Sequence, residues 1–309
     1  MNIFLSLFIL SLLSTFCYSI YIRIFKGVSQ TEREEGLLSH KRKNGTITIG
    51  GIFFLILPLI FLTKDLKTLQ IFITALLYGI IGLIDDLLIV VKKNNKGIGA
   101  NLKLFMETII ASISFIIYLN INDNTVLNLY FFSIDIKWIF GMFLLFYLNA
   151  SANAFNLTDG IDGLCGGLSI LISIAFIIIA YKKKEYQIMY LICIVSIPLF
   201  IFWCFNLPKA FLFMGDTGSL FLGSFYAMIS IYLDSILGFI IMALLFIFEV
   251  LSVIIQVFYF KKTNGKRLFK MAPFHHHLES IGINEIKIDL LFYLIEIVLI
   301  IIVFLCHLF

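Results

Sequence analysis

The chain has 309 residues, of which 61% are hydrophobic and 14% are charged, and its formal net charge is +4. A soluble domain is about 45–50% apolar and about 25% charged. The composition therefore excludes a soluble enzyme, a disordered chain and a secreted disulfide scaffold, and it favours a protein that crosses the lipid bilayer many times. The small net charge gives no reason to expect a nucleic-acid partner.

Apolar runs along the chain predict about ten transmembrane helices. Each run approaches the length of about 20 residues that crosses the hydrocarbon core. Lipid cannot hydrogen bond to an open backbone, and the alternation typical of a membrane barrel is absent, so the runs are predicted to be helical. We find no internal repeat and predict one all-α domain over 1–309. The runs lie at 3–25, 47–63, 69–91, 102–119, 138–155, 163–181, 186–205, 218–233, 235–260 and 288–308.

The distribution of lysine and arginine predicts how these helices are oriented. Ten spans place both termini on the same side, and cytoplasmic loops are enriched in basic residues. One set of loops, with the flanking Arg23 and Lys103, holds 17 of the 23 basic residues despite a contrary run at 182–184. We therefore predict that both termini are extracytoplasmic and that this set of loops is cytoplasmic. The set comprises 26–46, 92–101, 156–162, 206–217 and 261–287.

The third predicted helix carries a pair of acids in the stretch IGLIDDLLIVVKK. Acidic side chains at membrane depth are unfavourable, so Asp85 and Asp86 are candidate functional residues. Adjacent residues of a helix point about 100° apart. One carboxylate could therefore face a metal or substrate while the other has a different partner. The alternative is an ordinary interfacial acid pair beside Lys92 and Lys93.

A polar, glycine-rich stretch, NASANAFNLTDGIDGLCGG at 149–167, joins the fifth and sixth predicted helices. Its candidate residues are Asn153, Asn156, Asp159 and Asp162. Such side chains supply oxygen ligands for a hard cation and polar partners for a sugar or base. The spacing does not match a calcium-binding EF-hand loop. The alternative is a polar turn between two helices.

The stretch FMGDTGSLFLG at 213–223 precedes and begins another predicted helix. Asp216 follows Gly215 at the helix start, a position that suits a metal or phosphate site. A simple N-terminal cap is the alternative, because Asp is a favoured capping residue. Phe213 could stack on a planar base or be one more apolar residue.

Three consecutive histidines, His275, His276 and His277, occur in KRLFKMAPFHHHLES at 266–280. Histidine titrates near neutral pH and donates hydrogen bonds to phosphate oxygens. Zinc sites favour ligands that are spaced along the chain, so we predict phosphate contact rather than zinc. An incidental loop sequence is the alternative.

All four motifs lie at the predicted cytoplasmic ends of helices or in cytoplasmic loops. Carboxylates without thiolates favour an oxygen-bound Mg²⁺, which commonly works together with substrate phosphates. The residues thus predict a magnesium-dependent membrane enzyme that acts on a phosphorylated substrate from the cytoplasm.

Taken together, these motifs resemble the polyprenyl-phosphate N-acetylhexosamine-1-phosphate transferase superfamily. Within it, the chain is similar to the phospho-N-acetylmuramoyl-pentapeptide transferases, which act in bacterial peptidoglycan synthesis. The uninterrupted histidines favour that branch. The matching stretches occur in the family's order over nearly the whole chain: QTEREEGLLSHKRKNGTITIGG, GLIDDLLIVVKKNNKG, NAFNLTDGIDGL, FMGDTGSL, EVLSVIIQV and APFHHHLE.

The resemblance implies a reaction, partners and a location. UDP-MurNAc-pentapeptide and undecaprenyl phosphate would give lipid I and UMP in the presence of Mg²⁺. The enzyme would lie in the bacterial inner membrane as a homodimer. A sister transferase that uses UDP-GlcNAc is the nearest alternative, and a cation-coupled transporter is the alternative of a different class. A transporter would place its ionisable groups near the membrane midplane, commonly in repeated halves.

The resemblance also implies roles for individual residues. Asp216 would be the Mg²⁺ ligand, Asp85 would accept a proton from the lipid phosphate, and Asp86 would assist in placing phosphate or metal. His275 would contact the diphosphate or the sugar, and Phe213 would stack on uracil. Lys103 and Asp162 would bind substrate or support the site. The substrate-binding set is Lys43, Lys93, Asn153, Asn156, Asp159, Phe213, Gly215, Gln256, His276 and His277.

Two positions depart from the family's pattern. Ile89 stands three residues after the acid pair, where many members carry Lys, and Ile283 follows Gly282 where Trp is common. Both departures concern nucleotide affinity rather than the acids. Glu249 is expected either to support the site or to pack between helices, and Glu296 is expected to pack.

Overall fold

The structure of the protein is a computed structural model that describes residues 3–24, 46–92, 97–122, 125–129 and 132–309. It is an all-helical bundle with one short hairpin, in agreement with the predicted class. In chain order the helices are α1 (Ile3–Ile24), α2 (Ile52–Ile56), α3 (Leu66–Lys92), α4 (Ala100–Ile121), α5 (Ile139–Thr158), α6 (Leu164–Lys182), α7 (Tyr186–Asn206), α8 (Gly215–Tyr232), α9 (Ile236–Met242), α10 (Leu244–Lys262), α11 (Phe274–Ser280) and α12 (Glu285–Leu305).

Within the described part of the chain, seven helices are long and apolar enough to cross a membrane: α1, α3, α4, α6, α7, α10 and α12. Three predicted spans lie outside this group: 47–63, then 138–155, which corresponds to the 20-residue helix α5, and 218–233, which corresponds to α8. The run at 47–63 contains only α2 and a 3₁₀ turn at Leu57–Phe61. The run at 235–260 is two helices, α9 and α10, which meet at Ala243.

Helix α8 lies at the centre of the bundle, where it packs mainly against α3 and α5. Every residue from Thr217 to Tyr232 is buried. Because α8 is surrounded by other helices rather than by lipid, it can carry several serines and glycines, and its mean hydropathy is correspondingly low. This explains why an 18-residue buried helix lies outside the group of seven.

Glycines allow α3 and α8 to approach closely at one end of the bundle. A Cβ atom at Gly82 would overlap the backbone of Asp216 and Thr217. Small residues permit such backbone contact between membrane helices. The close approach sets the acid pair at the end of α3 against the beginning of α8.

A short antiparallel hairpin between α4 and α5 was not predicted from the sequence. Strand β1 (Val126–Leu129) pairs with β2 (Phe132–Asp135), so that Val126 is opposite Asp135. The segment is too short to span a bilayer, and its backbone groups bond across the hairpin instead.

The lysines at 182–184, which oppose the predicted orientation, lie at the end of the bundle away from the acid pair. Lys183 Nζ donates to the carbonyl oxygen of Leu233 at the end of α8, over 2.6 Å. Lys182 Nζ lies 5.1 Å from the ring centre of Phe304 and 4.7 Å from that of Phe309. Capping and cation–π contacts thus engage two of the three charges.

Candidate active site

Asp86 joins the end of α3 to the beginning of α8. Its Oδ1 accepts a hydrogen bond from the backbone N–H of Asp216 (3.1 Å), and its Oδ2 accepts from the N–H (2.9 Å) and Oγ1 (2.6 Å) of Thr217. The first N–H groups of a helix need such acceptors. Gly215 has φ of +75°, and a Cβ atom there would overlap the Asp86 carboxylate. Asp86 therefore caps α8, and Gly215 makes room for the cap.

Asp85 points to different partners, as expected from the turn of about 100° between adjacent helical residues. Its Oδ1 accepts from the backbone N–H of Ile98. Its Oδ2 lies 3.6 Å from Lys103 Nζ, and the same ammonium group contacts Asp216 Oδ2 directly. Two carboxylates from different helices thus converge on one lysine, which belongs to a third helix, α4.

Asp216 is also held from the glycine-rich stretch. Asn156 Nδ2 donates to Asp216 Oδ1 over 2.8 Å and lies 3.1 Å from Ser219 Oγ. Asp159, just beyond the end of α5, is partly buried. Its burial, together with the negative charges of Asp216 and Asp86, raises its pKa to about 8. A cation bound here would reduce the repulsion between these negative charges.

The donor set fits a hard divalent cation of the magnesium type. Asp85 and Asp216 are carboxylates that converge, and Mg²⁺ is commonly bound by one or two carboxylates together with substrate phosphates. Among the described residues, no group of three His, Cys, Asp or Glu side chains is placed to hold a metal ion. A closed cage of protein ligands, as in structural zinc sites, is thus not formed within this part of the chain.

The histidine motif begins helix α11, which is anchored by a buried acid of α10. Glu249 Oε2 accepts from the N–H of Phe274 over 2.6 Å, and Oε1 accepts from the N–H of His275 over 3.2 Å. His275 Nδ1 lies 3.3 Å from the same carboxylate. These contacts match the expectation that Glu249 supports the site, because they hold the start of the histidine motif.

The histidines meet the glycine-rich stretch at Gly160. A Cβ atom there would collide with Nε2 of His275 and would lie 3.2 Å from Nε2 of His276. His276 Nδ1 lies 2.8 Å from Glu279 Oε2, so that its Nε2 atom faces the loop. The histidine motif and the glycine-rich stretch, which are far apart in the sequence, therefore pack against each other.

His277 and Gln256 hold the segment between α10 and α11. His277 Nδ1 accepts from the N–H of Lys270 over 3.2 Å. The Gln256 amide accepts from Leu268 and Phe269 N–H (3.1 and 2.9 Å) and donates to Phe269 O (3.2 Å). These bonds engage both polar atoms of the Gln256 side chain with the protein. The predicted contact of Gln256 with substrate remains a prediction.

Asp162 likewise has a structural partner, since its Oδ2 accepts from the N–H of Ala210 over 2.9 Å. Next to it, Gly163 has φ of +87°, and its carbonyl oxygen accepts from the hydroxyl of Tyr293 over 2.7 Å. The loop at 159–163 is thereby tied to α12 and to the segment before α8.

Phe213 lies beside the acids on a short extended segment. Its N–H donates to Ile47 O over 2.7 Å, and its carbonyl oxygen accepts from Gly50 N–H over 2.8 Å. The ring is partly exposed, so it can take part in the predicted stacking. Lys43 and Lys93, the remaining predicted contacts, lie outside the described residues.

Two residues are more central than the sequence indicated. Lys103 was a supporting candidate, yet it contacts both carboxylates that converge. Glu107, one helical turn further along α4, accepts from Asn153 Nδ2 over 2.7 Å and is fully buried. The sequence pattern that indicates these two residues is an acid four residues after a lysine within a predicted span, because residues at this spacing lie on the same face of a helix.

Comparison with known proteins shows which family this chain resembles. The family model described as glycosyl transferase family 4 matches residues 68–234, which include both acids of α3, Asn156 and Asp216. A protein of Staphylococcus saprophyticus called phospho-N-acetylmuramoyl-pentapeptide-transferase is 42% identical over 282 residues, 87% of each chain. The chain belongs to the phospho-N-acetylmuramoyl-pentapeptide-transferase family.

Other members of this family show comparable similarity. A protein of the same name from Listeria monocytogenes is 38% identical over 275 residues, 85% of each chain. Another from Staphylococcus aureus is 39% identical over 281 residues, 87% of each chain. The resemblance found from the motifs is therefore confirmed at the level of the family.

Proposed function

We propose that this protein transfers phospho-MurNAc-pentapeptide from UDP-MurNAc-pentapeptide to undecaprenyl phosphate, which gives lipid I and UMP. Membership of the family supports the reaction and the substrate class. The observation that carries the proposal is the convergence of Asp85, Asp216 and Lys103 at one end of the bundle, beside the histidine motif. This arrangement combines a cation site with donors for phosphate oxygens, which phosphoryl transfer requires.

In the proposed reaction, an oxygen of the lipid phosphate forms a bond to the β-phosphorus of the nucleotide sugar. The bond from that phosphorus to the bridging oxygen breaks, and UMP leaves. Asp85 would accept any proton that remains on the attacking phosphate. A phosphate monoester has a second pKa of about 6 and is largely ionised at neutral pH. Asp85 would therefore act mainly by positioning the attacking phosphate.

The remaining side chains bind and orient the substrates. Bound at Asp216, Mg²⁺ would neutralise charge on the diphosphate. Asn156 holds Asp216 in place. The Nε2 atoms of His275 and His276 would donate to the diphosphate or the sugar, and Phe213 would stack on uracil.

The finer topology is part of the same proposal. We infer ten membrane crossings in a single domain over 1–309, with both termini extracytoplasmic and the site open to the cytoplasm. The concentration of basic residues in one set of loops supports this orientation. The protein would act in the bacterial inner membrane, surrounded by lipid and paired as a homodimer.

The test is UMP release by purified protein with a short polyprenyl phosphate and Mg²⁺. UDP-MurNAc-pentapeptide and UDP-GlcNAc are compared side by side, with Asp216→Asn as the control variant. Turnover only with the muramoyl substrate, lost in Asp216→Asn and after chelation of the metal, is the expected result. Turnover with UDP-GlcNAc alone would favour the sister transferase, and the absence of turnover with either substrate in folded protein would contradict a transferase.

A further inference from the structure

The ammonium group of Lys103 lies where the cation of the proposed site would be held. Its Nζ contacts Asp216 Oδ2 and lies 3.6 Å from Asp85 Oδ2. Only 13% of the lysine side chain is exposed. A divalent cation and an ammonium group would compete for the same carboxylate oxygens, so binding of the cation requires another position for the lysine.

Glu107 supplies that position. It is four residues after Lys103 on α4, and residues at this spacing lie on the same face of a helix within side-chain reach. Its side chain is fully buried, and Oε2 accepts from Asn153 over 2.7 Å. Its Oε1 has no hydrogen-bond partner among the described residues. A buried carboxylate oxygen without a donor is unfavourable and calls for an explanation.

The other carboxylate oxygens around Lys103 already have partners. Asp85 Oδ1 accepts from Ile98, Asp216 Oδ1 accepts from Asn156, and the Asp86 carboxylate caps α8. Asp216, Asp85 and Glu107 all lie close enough to Lys103 to act on it electrostatically. Glu107 Oε1 is therefore the acceptor that a displaced ammonium group can reach.

We propose that Lys103 alternates between two positions: on Asp85 and Asp216 when no divalent cation is present, and on Glu107 when the cation is held. Glu107 is thus a positioning residue that acts through Lys103. The flexible four-carbon stem of lysine permits the exchange, and the bond from Asn153 keeps Glu107 in place. The proposal rests on the cation site of the proposed function.

The test measures binding of Mn²⁺, a paramagnetic substitute for Mg²⁺, to the full chain in detergent without substrates, by electron paramagnetic resonance. The variants are Glu107→Gln, Lys103→Met and the double variant. Glutamine is uncharged and has one acceptor oxygen where glutamate has two, so it offers a displaced ammonium group a neutral amide in place of a free carboxylate oxygen. We expect Glu107→Gln to weaken Mn²⁺ binding about tenfold, the size of one charge-assisted hydrogen bond. In the Lys103→Met background the same substitution should have no effect.

Glu296→Gln is the matched control, because Glu296 on α12 is also fully buried and both of its carboxylate oxygens lack a hydrogen-bond partner among the described residues. It should leave Mn²⁺ affinity unchanged. Equal weakening by Glu107→Gln with and without Lys103, or no weakening in either background, would overturn the proposal. Wild-type protein that releases UMP but binds no Mn²⁺ would overturn it while leaving the transferase function intact. Mn²⁺ binding that follows the expected pattern without turnover would contradict the proposed function alone.

Discussion

The two ends of the bundle both carry charges, but they use them differently. At one end, Lys67 Nζ lies 3.0 Å from Glu185 Oε1, and the two side chains are 38% and 35% exposed. An exposed pair of this kind contributes about 0–1 kcal/mol. At the other end, Asp85 and Asp216 approach one largely buried ammonium group from separate helices. Convergence of like charges from separate helices, rather than their number, therefore distinguishes the candidate active site.

The largest expected effect is that of Asp216→Asn, which removes the carboxylate on which Lys103 and the proposed cation depend. We expect UMP release to fall by about 10²–10³-fold, the range for loss of one preorganised electrostatic group. Asp234→Asn at the opposite end is the matched control. Asp234 has φ of +48°, which asparagine tolerates. UMP release by the Asp234→Asn variant should stay within about twofold of wild type, because Asp234 lies away from the charge cluster. Equal losses at both ends would contradict the distinction between them.

Glu249→Ala should have the next largest effect, because it removes the acceptor for the N–H groups of Phe274 and His275. Displacement of the histidine motif by about 1 Å would lower kcat/KM roughly 10²-fold. Glu249→Gln keeps one acceptor oxygen and should give an intermediate loss. Steady-state kinetics with the nucleotide substrate varied would check this. If alanine and glutamine gave the same activity as wild type, the cap would have no role in positioning the motif.

A smaller effect on stability compares one hydroxyl group at each end. Thr217 Oγ1 donates to the Asp86 carboxylate over 2.6 Å, whereas Thr68 Oγ1 donates to the backbone oxygen of Asp65 over 2.9 Å. Thr217→Val should lower the free energy of unfolding by about 1.5–3 kcal/mol and Thr68→Val by about 1 kcal/mol, since hydrogen bonds to charged groups are stronger. Thermal unfolding in detergent measures both. A larger loss for Thr68→Val would show that the Asp86 cap does not anchor α8.

The smallest expected effect is that of Lys183→Met, which removes the ammonium group that caps α8 at Leu233. Methionine retains the apolar stem, so we expect a loss of about 1 kcal/mol in stability. UMP release should change by less than about twofold, because surface-type contacts remote from a site seldom alter it. A strong loss of activity in folded Lys183→Met protein would mean that the two ends are coupled.

Much of the candidate site could be predicted from residue types alone. Asp85, Asp216 and Asn156 come together, His275 and His276 meet the glycine-rich stretch at Gly160, and the family assignment is confirmed. Residue type and spacing do not separate Asp85 from Asp86, because both are acids at the same helix end, and only the resemblance gave them different roles. Only the packing of α3 against α8 gives Asp86 the role of a cap. The roles of Lys43 and Lys93 stay predictions.

The amino-acid sequence by itself determined the all-helical class, the positions of most helices and the family. The length of the apolar runs indicates membrane helices, and the order in which the motifs occur along the chain indicates the family. Tertiary structure alone decided which side chains meet. It placed Lys103 between two carboxylates, left Glu107 with an oxygen that has no partner among the described residues, and engaged Gln256 and Asp162 with neighbouring backbone. The physical reason is that hydrogen-bond and charge partners depend on which helices pack together, and residues far apart in sequence carry no local signal of that contact.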